Sequence, residues 1–281
     1  MRDLDGKTII VTGANTGIGR VTAEVFAKRG AKVFLACRSR EKTEPVIDAI
    51  RAAGGKAELL RLDLGSFDSI RRAASDFLAS GEKLDVLVNN AGLAGAHGKT
   101  SDGFELIIGT NHLGPFLFTL LLLPRLRESA PARIVNVSSG SHYDAKSIPF
   151  ERFREKTWTT TGMEEYSISK LCNVLFTKEL ARGKAGKGIT SYSLHPGVVA
   201  TDIWREVPFF VRPIMKLFMI SSEEGAQTQI YCSASPDCAD EDGLYYTKSK
   251  VKKPNPLAED EALAKELWQR SVEWTGAPAS A

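Results

Sequence analysis

The chain has 281 residues, 43% of them apolar and 25% charged, with a formal net charge of +3. This composition is typical of a globular protein with a buried core, in one large domain or two small ones. The weak basic excess is spread along the chain, so it gives no reason to expect a nucleic-acid partner.

Cysteine and histidine are too scattered to indicate a disulfide framework or a metal centre. Cys37, Cys172, Cys232 and Cys238 form no C-x-x-C pair, and the four histidines form no H-E-x-x-H motif. We therefore expect free thiols in a reducing compartment and no bound metal.

The N-terminal segment MRDLDGKTII leads directly into an apolar strand. It lacks the basic start, the long apolar middle and the cleavage site of a signal peptide. The longest apolar run, PFLFTLLLLP at 115–124, has only about half of the ~20 residues that span a bilayer. These features predict a cytoplasmic protein without a transmembrane anchor.

Short β-branched runs alternate with helical patterns along almost the whole chain. Several runs are apolar on both faces, which is typical of parallel strands buried between two helical layers. We predict one α/β domain over residues 1–281, a doubly wound, Rossmann-type sheet of about seven mainly parallel strands flanked by helices. The predicted strands are residues 7–13, 31–37, 57–64, 84–90, 132–139, 189–197 and 243–249. The predicted helices include residues 18–29, 41–53, 66–80, 115–128, 164–182 and 222–235.

A glycine-rich turn, TGANTGIG at 12–19, joins the first strand to the first helix. Gly13 suits the tight turn, Gly17 lets backbone approach a phosphate, and Gly19 permits close packing of helix on strand. The helix N-terminus offers free N–H groups and the positive end of its dipole to a pyrophosphate. Glycines also end strands for structural reasons alone, but this junction is the one that dinucleotide binding requires. The predicted cofactor contacts are Gly13, Asn15, Thr16, Gly17, Ile18 and Gly19.

The second strand ends in LACRSR and lacks the carboxylate that would accept hydrogen bonds from the ribose 2′-OH of NAD. Arg38 and Arg40 stand there instead, on either side of Ser39. A guanidinium binds a 2′-phosphate through two parallel hydrogen bonds, whereas a carboxylate repels it. The pattern favours NADP(H), held by Arg38 and Ser39. The alternative is that both arginines are solvated loop charges, and for Arg40 we prefer that alternative.

The third and fourth strands end in residues that suit the rest of a dinucleotide. Asp63 and Leu64 end the third strand, where a short carboxylate suits the adenine amino group. In VNNAGLAG, small residues would let a cofactor lie against the backbone, and we predict contacts from Asn90, Ala91 and Gly92. Taken singly, both features are also ordinary strand-end turns.

YSISK at 166–170 places a phenol and an ammonium four residues apart in a helical pattern. Neighbours at i and i+4 meet on one face of any helix, so the pair alone also fits ordinary surface decoration. Its interpretation depends on the rest of the chain.

In their order and separation, TGANTGIG, NNAG, VNVSS, YSISK and HPGVVAT resemble the motifs of the short-chain dehydrogenase/reductase family along nearly the whole chain. LACRS, NHLGPFLFTLLLLP, YSISKLCNVLFTKELA and SLHPGVVATDIWR are most similar to its NADP-dependent retinol-dehydrogenase-like group. The long stretch between Ser139 and Tyr166 is similar too. Many members of that group carry an N-terminal membrane anchor, which we do not expect here.

The resemblance implies that Tyr166 is the general acid in carbonyl reduction and the base in alcohol oxidation. An unperturbed tyrosine has a pKa near 10, so its phenolate needs stabilisation. Lys170 would lower the pKa of the phenol and contact the nicotinamide ribose. Both residues are therefore expected to be catalytic and to bind the cofactor.

The resemblance also assigns catalytic roles to Ser139 and Asn111. Ser139, the second serine of VNVSS, would stabilise the carbonyl oxygen, whereas Ser138 should point to the opposite face of the strand. Asn111, in GTNHLG, matches an asparagine that holds a water linking the lysine to solvent. The alternative for Asn111 is a polar side chain bonded to its own helix backbone.

HPGVVAT is expected to close the cofactor site. Pro196 and Gly197 turn the chain, and Val199 and Thr201 resemble the residues that hold the nicotinamide carboxamide. We interpret His195 as strand-end packing, because Tyr166 already fills the proton-transfer role.

Two irregular segments, 140–163 and 203–220, interrupt the alternation of strands and helices. Such insertions after strands usually shape a ligand site in this architecture. The 203–220 segment is apolar and is expected to cover an apolar substrate, although a membrane-surface helix or a subunit contact would fit equally well. The family resemblance implies a homo-oligomer through the helices at 115–128 and 164–182. The C-terminal segment AEDEALAKELWQRSVEWTG is predicted to be an amphipathic helix on the domain surface.

The expected function is an NADP(H)-dependent oxidoreductase, a carbonyl reductase or alcohol dehydrogenase. It would transfer hydride between nicotinamide and an apolar aldehyde, ketone or alcohol, with retinoid-like substrates among them, and mainly in the reductive direction. The main alternative is a non-catalytic NADP-binding regulatory or scaffold protein, which an intact set of Ser139, Tyr166 and Lys170 argues against. Dehydration, epimerisation or C=C reduction on the same scaffold is a third hypothesis.

Overall fold

The computed structural model describes residues 2–197 and 220–278. In this part of the chain, eight strands form one sheet in the order β3-β2-β1-β4-β5-β6-β7-β8. Strands β1 to β7 run parallel, and β8 pairs with β7 in antiparallel orientation. The strands are β1 (Thr8–Thr12), β2 (Lys32–Cys37), β3 (Lys56–Arg61), β4 (Val86–Asn89), β5 (Ala132–Val137), β6 (Ile189–His195), β7 (Leu244–Thr247) and β8 (Lys250–Val251).

Helices cover both faces of the sheet. They are α1 (Gly17–Lys28), α2 (Arg40–Ala52), α3 (Phe67–Ala79), α4 (Leu106–Glu128), α5 (Met163–Glu179), α6 (Ser222–Ala234) and α7 (Glu261–Thr275). Side chains alternate between the two faces of a strand. In β1, Ile9 and Val11 belong to the core with α1, α2 and α6, whereas Ile10 belongs to the core with α3 and α4. The predicted doubly wound α/β sheet is therefore confirmed.

The short strand β8 was not predicted. It pairs with β7 across a turn whose two residues, Lys248 and Ser249, have φ values of 52° and 56°. A two-residue hairpin turn with positive φ at both positions normally carries Asn or Gly, and this one does not. For that reason the sequence around Lys248 and Ser249 does not predict a hairpin.

The insertion at 140–163 forms two 3₁₀ turns, Gly140–Asp144 and Phe150–Arg154, before α5 begins. It buries aromatic side chains as well as exposing polar ones. Phe150 and Phe153 lie 6.3 Å and 5.4 Å from Trp274 of α7, measured between ring centroids. The insertion is therefore packed against the C-terminal helix as part of the core.

Helix α4 contains a π turn, Gly109–Leu113, followed by regular α-helix from Gly114 to Glu128. In length and composition α4 is long and apolar enough to cross a membrane, with a mean hydropathy of 1.7. However, 83% of its apolar window is buried inside the fold. That burial is typical of the central helix of a protein core.

The C-terminal helix α7 packs across α4 and α5. The Trp268 ring lies 5.1 Å from the Phe116 ring and 5.8 Å from the Phe176 ring. His112 Nε2 and Ser271 Oγ lie 3.1 Å apart at the same contact. The predicted amphipathic helix is therefore present. It covers the two helices through which the family resemblance implies subunit contacts.

Candidate active site

A cleft of about 340 Å³ lies at the carboxyl ends of β1, β2, β3 and β4. Strands β1 and β4 are neighbours there, at the point where the strand order reverses, which is the usual ligand position in an open α/β sheet. The predicted cofactor residues that line it are Gly13, Asn15, Thr16, Gly17, Ile18, Gly19, Arg38, Ser39, Asp63, Leu64, Asn90, Ala91 and Gly92. Residues that also line it and were not predicted include Lys42, Leu62 and Thr110.

The glycine turn has the conformation that its sequence indicates. Gly13 and Gly17 have φ values of +65° and +53°, a region that favours glycine. A Cβ on Gly19 would lie only 2.5 Å from the carbonyl oxygen of Gly13 and would also collide with the side-chain amide of Asn90. Only glycine at position 19 lets α1 approach the end of β1 this closely.

Replacement of Gly19 by alanine is expected to weaken dinucleotide binding at least tenfold and to destabilise the protein by about 1–3 kcal/mol, because a methyl group must displace backbone. Isothermal titration with NADPH and thermal unfolding would measure both effects. Gly65→Ala is the matched control, since its added Cβ would have Asp63 Oδ1 at 3.4 Å as its nearest neighbour. Equal behaviour of the two variants would contradict this interpretation of the turn.

The end of β4 is fastened to β1 by hydrogen bonds to Thr12. The backbone N–H groups of Asn90 and Ala91 both donate to Thr12 Oγ1, at 3.0 Å and 2.9 Å, and Asn90 Nδ2 donates to the Thr12 carbonyl at 2.8 Å. Asn90 Oδ1 is buried and has no hydrogen-bond partner among the described residues. An unused acceptor in the wall of the cleft, beside Gly13 and Gly19, which have no side chains, fits a bound dinucleotide.

Arg38 extends over the mouth of the cleft, with 72% of its side chain exposed. Its Nη1 lies 3.9 Å from Asp63 Oδ2, a distance that leaves most donors of the guanidinium free. Ser39 caps α2 by accepting the N–H of Lys42 at 3.3 Å. Arg40 instead pairs with Glu44 at 2.8 Å on the exposed surface of α2, so it is a solvated charge, as we preferred.

Tyr166, Lys170, Ser139 and Asn111 come together beside the cleft. The Ser139 side chain favours the ionised form of the Tyr166 phenol and so acts to lower its pKa. Lys170 Nζ lies 5.5 Å from the centre of the Tyr166 ring and donates to the Val137 carbonyl at 3.0 Å. The predicted catalytic residues therefore form one cluster.

Gly92 connects this cluster to the cleft. It lines the cleft, and a Cβ added to it would lie 3.3 Å from both Lys170 Nζ and Asn111 Oδ1. The catalytic cluster and the dinucleotide cleft are thus parts of one continuous site.

Asn111 lies in the π turn of α4 and is fully buried. Its Nδ2 donates to the Leu93 carbonyl at 2.9 Å and to Ser169 Oγ at 3.0 Å, and its Oδ1 accepts the Leu93 N–H at 2.9 Å. The side chain therefore joins the segment after β4 to α5, and the alternative of a bond to its own helix is wrong. π turns within α-helices are often found at functional sites.

Burial dominates the ionisation of the catalytic pair. Burial raises the pKa of the Tyr166 phenol, and the Ser139 side chain opposes this only in part. Burial lowers the pKa of the Lys170 ammonium to about 8. We expected Lys170 to lower the pKa of Tyr166. In this site the ammonium lies over the ring face, and loss of solvent outweighs its attraction for the phenolate.

The two serines of VNVSS point in different directions, as predicted. Ser138 Oγ donates to the Lys170 carbonyl at 2.7 Å and is buried under α5. Ser139 ends the strand segment, caps the following 3₁₀ turn and accepts the Ser141 N–H at 3.2 Å. Only Ser139 faces the phenol.

His195 ends β6 and accepts the N–H of Gly140 on Nδ1 at 3.0 Å. Its role is therefore more specific than strand-end packing. Gly197 has a φ of +98°, in keeping with a sharp turn after Pro196. Val199, Thr201 and residues 203–219 of the expected substrate-covering segment lie outside the described residues.

Two buried carboxylates next to the site were missed in the sequence. Glu165 accepts the backbone N–H groups of Trp158 and Thr159 at 2.6 Å and 2.7 Å. Glu105 accepts the Thr157 hydroxyl at 2.6 Å, and burial raises its pKa. Together they hold the end of the 140–163 insertion against α4 and α5. Acidic residues in helical patterns are usually exposed, so nothing in the sequence marked them.

Comparison with known proteins agrees with this site. The short chain dehydrogenase family model matches residues 7–148. The chain is 43% identical to retinol dehydrogenase 11 of Homo sapiens, over 98% of this chain and 87% of that protein. It is 42% identical to retinol dehydrogenase 12 of Homo sapiens, over 97% of this chain and 87% of that protein.

Two solved structures extend the comparison. An uncharacterized protein from Mycobacterium Paratuberculosis is 32% identical, with a TM-score of 0.78 over 98% of this chain and 95% of that one. A short-chain type dehydrogenase/reductase from Mycobacterium marinum is 26% identical, with a TM-score of 0.69 over 87% of this chain and 94% of that one. The chain therefore belongs to the short-chain dehydrogenase/reductase family, in its retinol-dehydrogenase-like group, and is an oxidoreductase that interconverts CH–OH and C=O groups with a nicotinamide cofactor.

Proposed function

We propose that the protein is an NADP(H)-dependent carbonyl reductase that acts on apolar aldehydes and ketones, retinoid-like compounds among them. The observation that carries this proposal is the continuity of the Tyr166–Ser139–Lys170 cluster with the dinucleotide cleft through Gly92. A purely structural tyrosine would not need a hydroxyl partner and a buried ammonium at the wall of such a cleft.

Ser139, Tyr166 and Lys170 would each have a separate role in carbonyl reduction. Bound NADPH would supply the hydride for the carbonyl carbon. Ser139 would donate a hydrogen bond to the carbonyl oxygen as negative charge develops there. Tyr166, whose raised pKa keeps the phenol protonated at neutral pH, would donate its proton to that oxygen. Lys170 would place a positive charge beside the phenolate that remains.

The preference for NADP(H) rests on Arg38. No carboxylate stands at the end of β2, and among the described residues the exposed guanidinium at the mouth of the cleft makes one long ion-pair contact, with Asp63. It therefore has donors to offer a 2′-phosphate. Lys42, which also lines the cleft, adds a second cation on the same side.

We expect Arg38→Asp to raise the KM for NADPH by about 30–300-fold, because charge-assisted hydrogen bonds are lost and repulsion replaces them. The KM for NADH should change by less than about threefold. Steady-state kinetics with both cofactors would measure the ratio. Arg40→Asp is the matched control and should leave the ratio unchanged, since Arg40 pairs with Glu44 away from the cleft. A wild-type protein that prefers NADH would refute the role of Arg38.

An apolar substrate is supported by the surroundings of Tyr166. Ala94 and Ile107 are buried against it, and Leu93 and Met163 pack on the same cluster. A panel of apolar aldehydes and ketones, retinal included, tested by NADPH oxidation at 340 nm against charged and sugar-like carbonyls, would test this preference.

The remaining parts of the proposal concern organisation and location. Residues 1–281 would form one cofactor-binding and catalytic domain, and we place the protein in the cytoplasm. The four cysteines are buried, unbridged thiols, which suits a reducing compartment. A homo-oligomer formed through α4 and α5 would have to leave in place the packing of Trp268 of α7 on Phe116 and Phe176.

A further inference from the structure

We propose that His142 and His195 are positioning residues for Ser139, which together hold the Ser139–Gly140 peptide group from its two edges. The inference rests on the proposed catalytic role of Ser139 and goes beyond it, because neither histidine contacts the Tyr166 hydroxyl. A peptide group held on both its C=O and its N–H fixes ψ of Ser139 and thereby the direction of its side chain.

His142 holds the carbonyl edge. Its Nδ1 lies 2.6 Å from the Ser139 carbonyl oxygen, and its Nε2 accepts the N–H of Asn255 at 3.1 Å. A backbone N–H can only donate and a carbonyl can only accept. The ring is therefore neutral, with its proton on Nδ1. The imidazole is fully buried and packs at a tilt against Tyr143 and Tyr245, with ring centroids at 4.0 Å and 4.6 Å.

His195 holds the amide edge. Its Nδ1 accepts the Gly140 N–H at 3.0 Å, so this ring must carry its proton on Nε2. The two histidines thus adopt opposite tautomers around one peptide group. His142 donates to its carbonyl oxygen, and His195 accepts its N–H. Since β6 supplies His195 and the 3₁₀ turn supplies His142, the peptide is fixed from two separate elements.

Asn255 fixes the position of His142 in turn. Besides its N–H bond to Nε2, its Nδ2 donates to the carbonyls of His142 and Ala145 at 2.8 Å and 2.9 Å, and its Oδ1 accepts the Leu257 N–H at 2.9 Å. Asn255 is itself buried. Asn255 therefore connects the C-terminal part of the chain to the catalytic serine through the His142 imidazole.

Both rings must stay neutral for this arrangement. A second proton would fall on Nδ1 of His195, opposite the Gly140 N–H, or on Nε2 of His142, opposite the Asn255 N–H. His195 is influenced by the charges of His142, Lys252 and Lys170, and His142 by those of Lys252 and Asp144. Burial and the nearby cations lower the pKa of His195 to about 4, and burial lowers that of His142.

The arrangement itself is tested without any substrate. The chain has only four histidines, so ¹⁵N–¹H correlation spectra of the imidazoles at pH 6 can be assigned with one variant for each. We expect Nδ1 protonated on His142 and Nε2 protonated on His195. A charged ring, or the opposite tautomer at either position, would overturn the inference even if the enzyme is active.

The positioning role is tested by a double-mutant cycle in carbonyl reduction. His195→Phe is expected to lower kcat by about 10–100-fold with the Kd for NADPH unchanged. It should have less than about a threefold effect in a Ser139→Ala background, since the serine it positions is then absent. His195→Asn, which keeps an acceptor near the place of Nδ1, should recover most of the lost kcat. Equal losses from His195→Phe in both backgrounds, or no recovery with asparagine, would overturn the inference. A wild-type protein with the expected tautomers but no carbonyl reduction would refute the proposed function alone.

Discussion

Replacing Lys170 with methionine is expected to lower kcat for carbonyl reduction by about 10²–10⁴-fold and, at the same time, to make the folded protein more stable. Methionine has a similar length and no charge, so it can fill the space of a side chain that is 2% exposed. Activity and stability should therefore change in opposite directions at this position.

The gain in stability follows from the pKa of Lys170. Burial lowers it to about 8 from the ordinary value of 10.5, so the folded state disfavours the charged form. The wild-type protein should become more stable as pH rises from 8 to 10.5, because the unfolded chain then holds a proton that the folded chain has released. Below pH 8 the methionine variant avoids the cost of burying a charge. After subtraction of the lost bond to Val137, we expect a gain of about 2 kcal/mol.

Denaturant unfolding at pH 7 and pH 10.5 would measure this difference. The gain should be present at pH 7 and lost at pH 10.5, where the wild-type side chain is largely neutral in the folded state and still has its bond to Val137. Ser138→Ala, which removes a buried hydroxyl bonded to the Lys170 carbonyl, is a control that should destabilise the fold. A methionine variant that is less stable than the wild type at pH 7 would contradict this prediction, because it would show that the buried ammonium stabilises the folded state.

Replacing Tyr166 with phenylalanine is expected to reduce kcat by about 10²–10⁴-fold while binding of NADPH changes by less than threefold. The substitution removes one hydroxyl, on which Ser139 acts, and preserves the packing of the ring against Ala94 and Ile107. The free energy of unfolding should fall by no more than about 1 kcal/mol. The loss therefore concerns the proton transfer alone.

Single-turnover kinetics and NADPH titration would separate the two effects in this variant. Tyr192→Phe is a suitable control, because Tyr192 is also buried. Its hydroxyl donates to the Cys238 carbonyl at 2.7 Å, and Cys238 is not part of the catalytic motif. Retention of more than a tenth of wild-type kcat by Tyr166→Phe would mean that another group supplies the proton.

The fold and the cofactor cleft could be predicted because their signals are local. β1, TIIVT, is apolar on both faces, and the glycines that follow it have the positive φ or the close contact that only glycine permits. Arg38, Asp63 and Asn90 were found because each lies within two residues of the end of a strand. In a parallel sheet, strand ends meet at one edge, so the alternation of strands and helices is enough to place residues that are far apart in sequence at the same cleft.

The surroundings of the catalytic residues could not be predicted in this way. His142 and His195 are 53 positions apart by their numbers, and their pairing depends on the tautomers that Gly140 and Asn255 impose. The π turn around Asn111 and the burial of Glu105 and Glu165 arise from tertiary packing. Burial also raises the pKa of the Tyr166 phenol, and the motif shows the nearby cation but not the loss of water around the phenol.

The most direct test of the proposed reaction is to reduce an apolar aldehyde with NADPH that carries deuterium at both positions of nicotinamide C4, and to examine the product alcohol by mass spectrometry. Direct hydride transfer in this site predicts one deuterium per product molecule, on the former carbonyl carbon, with formation lost in Tyr166→Phe. An alcohol without deuterium, or tight binding of NADPH with no reduction of any carbonyl compound in the panel, would contradict it.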